Sequence, residues 1–505
     1  MSASREKKLR QDQTASGYVD PKAEKELEEK KAEKRSNVLY SVIAVLFVLV
    51  VAASFLWRSN VISRNATALT IDGEKYSAAE VNFYYQNVYR GFLQSNSYFI
   101  SYLGLDTNAS LKSQTVNATA ASMMGVEGSS WHDYIMDNTV KQMTMVQRGL
   151  KQAQEEGYQF PASVQEQYED SLNSLKTSAE STGMSVKAYL QRNLGAIMTE
   201  KVYNQQVLRM LQYQAYAQSY SDSLTYTDAE LEAAYQADPK TYDKAAWEYV
   251  VVSGAADSTT DADGNTVQAT DEEQAAAKET AKATAEEILA AYNSGKSLES
   301  IAGNYEKATY YNTTDATYYD GVVGNWLFDD ARKDGDTEIL EVGTNYYVGL
   351  FHSRGREEYK TVDIRHILIT PETGTKAQGD EGYEDEQTQL KAAARTKAEE
   401  ILAQWKSGEA TEDSFAQLAM ENSADGSKYD GGLYTRVTKG WAVEEFNDWC
   451  FDASRKDGDT GIVDTTYGSH VMYFVGYDLP AWAASVTSDL QEKAASEWST
   501  ALSEN

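Results

Sequence analysis

Residues 449–462 read WCFDASRKDGDTGI, and residues 326–339, 123 positions earlier, read WLFDDARKDGDTEI. A second pair keeps the same order: AEEILAAYNSG begins at Ala285 and AEEILAQWKSG at Ala398, an offset of 113. Two shared segments in one order mean that one domain occurs twice, over residues 241–356 and 361–478. The two offsets leave ten more residues in the second copy. Those ten lie between the two shared segments; the acidic stretch PETGTKAQGDEGYEDEQTQ, residues 371–389, reads by composition as a loop. Each copy opens on a strand, runs through a helix, further helical matter and a Gly-rich turn, and closes on a strand. That is an α+β pattern.

The opening and closing strands of the second copy carry its chemistry. In VDIRHILIT, residues 362–370, alternate residues share a face, so Val362, Ile364, His366 and Leu368 point together. In YGSHVMYFVGY, residues 467–477, His470 shares a face with Met472 and Phe474. The chain has four histidines, and two of them lie on apolar faces of strands that frame one domain. Buried imidazoles need polar partners, and these two can satisfy each other within one network. The first copy opens on AWEYVVVS with no histidine, and Tyr347 stands where the 123 offset carries His470. His352 is expected after its final strand and His132 in the helical region. The first copy reads as a binding or spacer module.

RHILI, FAQLAMENSAD, DGGLY, KGWAVEEF, WCFDASRKDGD and YGSHVMYFV, in order and spacing, resemble the parvulin family of peptidyl-prolyl cis/trans isomerases over essentially all of 361–478. With the degenerate copy, a helical N-terminal region and an apolar span, the whole chain resembles extracytoplasmic foldases of the PrsA and SurA type. The resemblance implies a small antiparallel sheet flanked by helices, and catalysis without a cofactor or a metal. It makes His366 and His470 the paired core histidines and sets Asp425 beside the prolyl amide; these three are the candidate catalytic residues. It places Leu433, Trp441, Ala442 and Phe446 at the apolar prolyl pocket and Tyr467 beside the second histidine. The chain departs from the family where GGLY replaces the common G-D-L-G, and where Ala442 stands for the pocket methionine.

Elementary chemistry agrees. Rotation about a peptide bond costs about 18–20 kcal/mol because twisting destroys C–N resonance. X-Pro bonds populate both isomers yet exchange in tens to hundreds of seconds. A catalyst needs only to bind the twisted amide better than either planar form. Cys450, the single cysteine, reads as a core thiol, since the first copy has Leu327 there. Phosphate recognition uses Arg or Lys, whereas the insert offers Asp380, Glu381, Glu384, Asp385 and Glu386. Neutral or basic X-Pro segments are the expected substrates.

The rest of the chain sets location and class. At 505 residues it exceeds one core, given roughly 100–200 residues per domain. Its formal charge of −31 argues against nucleic acid as a partner. VLYSVIAVLFVLVVAASFLW, residues 38–57, carries no charge, and at ~1.5 Å per residue it matches a hydrocarbon core of about 30 Å. Lys22, Lys25, Lys30, Lys31, Lys34 and Arg35 precede it, and only Arg58 and Arg64 follow closely. The positive-inside bias then puts residues 1–37 in the cytoplasm and the bulk of the chain outside a cell membrane.

Residues 62–240 read as a short β element, ALTIDGEKYS, followed by amphipathic helices. One of these carries a stripe of Tyr134, Ile135, Val140, Met143, Val146 and Leu150. Thr227 to Glu230 is a capping-box start for a helix that Pro239 should end. Residues 479–505 read as a C-terminal helix. The expectation is an α+β multidomain, membrane-anchored isomerase and chaperone, acting on unfolded or newly secreted polypeptides with X-Pro bonds. A non-catalytic holdase with structural parvulin domains is the alternative. Clients and oligomeric state are left open by the sequence.

Overall fold

A computed structural model of the chain describes residues 3–15, 60–124, 129–260 and 264–504, with scattered positions between residues 22 and 54. Half of the span expected at 38–57, and most of the tail before it, lies outside the described residues. Within the span, residues 44–51 are helical and exposed. Among the described residues no helix is long and apolar enough to cross a membrane.

The chain divides into two compact units: Met1–Gly157 with Tyr168–Tyr213 and Leu502–Asn505, and Tyr158–Gln167 with Gln214–Ala501. The first begins with a hairpin of β1 (Thr67–Ile71) and β2 (Glu74–Ser77). Asp72 and Gly73 turn it with φ of 48° and 86°, the double positive φ that an Asp-Gly hairpin favours. A reciprocal capping box of Ser77 and Glu80 then starts α1 (Ala78–Ser95). In α2 (Trp131–Glu155), Ile135, Met143 and Val146 are buried as the stripe predicts, together with Trp131, Thr139, Gly149 and Ala153. Tyr134, Val140 and Leu150 are only half-buried, at the margins of that face.

Gly149 permits a close approach, because a Cβ there would lie 2.6 Å from the Tyr213 ring. Buried Gln147 accepts from the Tyr76 hydroxyl at 2.9 Å and donates to the Ile71 carbonyl at 3.1 Å, tying hairpin to helix. Arg148 grips Asp72 at 2.8 and 3.1 Å and donates to the Leu502 carbonyl at 3.1 Å. The C-terminal residues thus return to α2.

The second unit takes in the end of α3 (Glu200–Ser223) and α4 (Asp228–Ala237). The Thr227–Glu230 capping box opens α4, which stops before Pro239. Two four-stranded antiparallel sheets follow. The first comprises β3 (Lys244–Val252), β4 (Ala308–Ala316), β5 (Thr337–Val342) and β6 (Asn345–Gly355), in spatial order β4-β3-β6-β5. The second comprises β7 (Lys360–Ile369), β8 (Leu433–Val437), β9 (Thr460–Thr465) and β10 (Gly468–Pro480), in the matching order β8-β7-β10-β9. His352 lies inside β6 rather than after it, and its ring meets Glu248 of β3 at 3.0 Å. That carboxylate draws the strand on past the point where hydrophobic alternation ends.

Helix α5 (Asp271–Asn293) packs on the first sheet; α6 (Tyr383–Ser407) and α7 (Glu412–Asn422) pack on the second. The acidic insert is a loop only as far as Gly382. Residues 383–389 form the start of α6, where Glu384, Asp385 and Glu386 complement the helix N-terminus. Ile367 and Val471 pack against α6 and α7 through Ala398, Ile401 and Phe415. On the opposite face Val362, Ile364, Met472 and Phe474 meet Phe446 and Cys450 of α8 (Glu444–Cys450).

The duplicated motif is a clamp in both copies. The Arg332 guanidinium lies 4.7 Å from the Trp326 ring and donates to its carbonyl at 3.2 Å; Arg455 does the same to Trp449 at 4.2 and 2.9 Å. Gly335 and Gly458, at φ 86° and 83°, then donate to the Phe351 and Phe474 carbonyls at 2.9 and 2.8 Å. The closing helix α9 (Ala481–Ser503) buries Val486 against Leu231 of α4, and its Trp498 stacks on Tyr220 at 4.7 Å.

Candidate active site

β7 and β10 are neighbours, and Met472 pairs with His366 while His470 pairs with Leu368. The two histidines therefore sit on one sheet face, two residues out of step, and their rings meet. Nδ1 of His366 lies 3.1 Å from Nδ1 of His470, with the ring planes 19° apart. Both rings are buried. The Phe446 ring of α8 stands edge-on to both, at 5.4 and 5.3 Å between centroids.

Each outer nitrogen has a polar partner. Thr465 Oγ1 lies 2.9 Å from His470 Nε2, accepts from the Tyr467 N–H at 3.1 Å and reaches the Gly468 carbonyl at 3.4 Å. One proton bridges the two Nδ1 atoms, and His366 Nε2 faces Ser427 Oγ and Asp425 Oδ1, each at 3.3 Å. Every polar atom of the pair is thus matched, with one anion, Asp425, at the end of the chain. Burial and the neighbouring His366 push the His470 pKa down to about 4.

Asp425 owes its place to local structure. It caps the short turn Gly426–Asp430, accepting from the Ser427 N–H at 2.8 Å. The Ser427 hydroxyl donates to the same oxygen at 2.5 Å and the Tyr434 hydroxyl at 2.9 Å. These donors, the His366 bond foremost, hold its carboxyl well below the usual carboxylate range.

Above the imidazoles opens a cavity of about 470 Å³, lined by His366, Asp425, Tyr434, Trp441, Ala442, Val443, Phe446, Tyr467 and His470. Trp441 and Tyr467 form its exposed rim, at 50% and 64% exposure. Seven of the eight residues expected from the sequence meet here; Leu433 does not. Its neighbour Tyr434 takes the pocket position, and Leu433 lines a different cleft. Sequence reasoning also passed over Tyr434, Ser427, Val443 and Thr465. The hydroxyl two residues after Asp425 is the one signal that could have found Ser427, as the common partner of a capping turn. Cys450, the last residue of α8, is buried against the sheet, its thiol pushed up to about 12 by burial, which makes it no nucleophile.

In the first copy the equivalent positions are filled. Gly349 pairs with Tyr249 as Met472 pairs with His366, so Tyr249 and Tyr347 occupy the positions of the two histidines. Their rings are 5.8 Å apart and 21° from parallel. Trp247 at 4.0 Å and Tyr311 at 5.0 Å extend the stack around Tyr249.

Residues 348–475 match the family described as the PPIC-type PPIase domain. The chain carries a parvulin-type peptidyl-prolyl isomerase domain. The match to this PPIase domain starts within β6 of the first copy and covers the whole imidazole site. The foldase protein PrsA 1 of Listeria innocua is 29% identical over 142 residues, 27% of this chain and 39% of that protein. The chain thus spans well under half the length of that relative. The crystal structure of PrsA from Bacillus anthracis is 21% identical over 29% of this chain and 58% of that one, with a TM-score of 0.18. PrsA from Bacillus subtilis is 12% identical over 87% of this chain and 92% of that one, with a TM-score of 0.28.

Proposed function

We propose that the protein is a membrane-anchored, extracytoplasmic peptidyl-prolyl cis/trans isomerase and chaperone. Residues 361–478 supply catalysis, 62–240 bind unfolded clients, 241–356 serve as a spacer or binding module, and 479–505 complete the helical part. The observation that carries this reading is the buried, face-to-face imidazole pair under an aromatic-lined pocket with a single carboxylate at its side.

The planar amide owes its stiffness to a charge-separated resonance form, negative on oxygen and positive on nitrogen. A dry pocket around the pyrrolidine disfavours that form. The Asp425 anion disfavours it further wherever it faces the carbonyl oxygen. Among the described residues no lysine or arginine lines the cavity, which supports neutral or basic X-Pro substrates over phosphorylated ones. The uncharged segment 38–57 and the basic residues before it support a single-pass anchor with its N-terminus in the cytoplasm.

The test is X-Pro isomerisation of a chromogenic tetrapeptide by the full-length chain. Wild type is expected to accelerate it, and Asp425→Ala to cut kcat/KM by at least about tenfold, the low end of electrostatic contributions to catalysis, with some loss of Tm because the turn loses its cap and Ser427 and Tyr434 their acceptor. Isomerisation unaffected by Asp425→Ala, or absent in wild type, sinks the catalytic reading in favour of a holdase. For topology, external protease on intact protoplasts should digest the ectodomain and spare residues 1–37. A soluble mature form beginning near residue 58–65 would overturn the anchor.

A further inference from the structure

An edge strand turns one row of backbone N–H and C=O groups away from its sheet. β8 is such an edge. The His366 N–H donates to the Gly432 carbonyl at 2.9 Å, and Tyr434 pairs with Ile364. In the alternating antiparallel ladder the backbone groups of Leu433 and Thr435 then face outward. They open into a cleft of about 760 Å³, closed on its far side by the end of α3 and the loop to Tyr226. Gln491 of α9 bridges the floor, donating to the Ser221 and Leu224 carbonyls at 3.3 and 3.0 Å.

The walls of this cleft are acidic. Asp222, Asp430 and Asp478 line it. Loss of solvent and the facing Asp222 push the Asp430 carboxyl up. Arg436 is the cation of the lining, and its guanidinium is held by Gln491 Oε1 at 3.0 Å. Among the described residues no group of side chains is arranged to hold a metal ion. A free strand edge offers main-chain hydrogen bonds of strand type, and the walls ask for positive charge from whatever takes them.

We propose that this cleft seats an extended polypeptide segment bearing lysine or arginine, added to β8 as a further strand. The foldase reading supplies the nature of the occupant, and the proposal deepens it. Main-chain pairing makes such a site tolerant of sequence, while the carboxylates select for basic side chains. Tyr434 of the same strand lines the prolyl pocket, so a segment pinned along β8 is held one strand from the imidazole pair. A proline further along that segment meets the pocket at raised effective concentration.

The experiment uses the full-length chain in detergent and a fluorescent peptide of about ten residues alternating valine with lysine or threonine. Anisotropy should show saturable binding, lost when alternate peptide amides are N-methylated. Binding should weaken about fivefold in Asp222→Asn with Asp430→Asn, in keeping with two partly exposed ion pairs, and fall with added salt. Isomerisation of a tetrapeptide by this double variant should equal that of wild type. Undiminished binding of the N-methylated peptide, or of an analogue with glutamate for lysine, overturns the proposal. If tetrapeptide isomerisation is absent while methylation-sensitive binding persists, the isomerase reading fails and the cleft stands.

Discussion

Two imidazoles that share one proton between facing nitrogens fix how the site answers to acid. An unfolded His470 takes up a proton near its ordinary value of 6.5, whereas the folded one resists until about 4. Between those values the unfolded state binds more protons, so stability falls as pH drops. The slope should approach one proton, about 1.4 kcal/mol per pH unit. Asp425, held below the carboxylate range, adds to the loss only as pH falls below about 4. Urea melts at several pH values between 7 and 4 should show this slope, and His470→Gln should flatten it. His366→Ala leaves the Nδ1 of His470 buried without a partner, at about 1–3 kcal/mol. It should lower the melting transition of residues 360–480 and the isomerisation rate together; Asp425→Ala, which removes the cap of the Gly426–Asp430 turn, should lower both as well, the rate by the larger factor.

At the scale of elements, strand alternation made the imidazole pair legible. His366 and His470 each share a face with apolar neighbours two residues away, and that period needs no tertiary knowledge. In β8 the resemblance, not alternation, sets Leu433 at the pocket. Tyr434 pairs with Ile364 and so shares the face of His366, whereas Leu433 pairs with Arg365 on the other face; Tyr434 therefore enters the pocket and Leu433 the cleft. Beyond Tyr434 the register shifts, and Arg436 turns to φ 53° while its N–H binds Asp363 at 2.7 Å. Thr465 and Ser427 act through hydrogen bonds across turns, which leave no periodic trace. The short strands β4, β5, β8 and β9 were likewise absent from the sequence reading, since five to nine residues with mixed polarity carry little pattern. The repeated motif announced the duplication but not its purpose. Its arginine caps a tryptophan ring and carbonyl, so Arg455→Ala should cost about 1–2 kcal/mol, and Arg455→Lys should recover only part, lacking the planar guanidinium. Chemical denaturation of the three proteins checks the order.

At the scale of the molecule, duplication has left one copy with a pocket and the other with its pocket occupied from within. The tyrosine stack around Tyr249 fills the face that the histidines leave open in the second copy. Whole-chain isomerisation should therefore vanish when His366→Ala and Asp425→Ala are combined. A residual rate near that of wild type would show the first copy to be active. The helical N-terminal unit has a different dependence, on the Arg148–Leu502 bond across 354 positions of sequence. Deleting residues 498–504 removes that bond together with the Trp498 stack, and should raise binding of a hydrophobic dye while leaving tetrapeptide isomerisation in place. The same bond sets a clock. A ribosome adds about 5–20 residues per second, so α2 waits on the order of tens of seconds for the residues that seal it. Through that interval the part of the chain made first is itself an unfinished polypeptide, of the kind the proposed chaperone would bind.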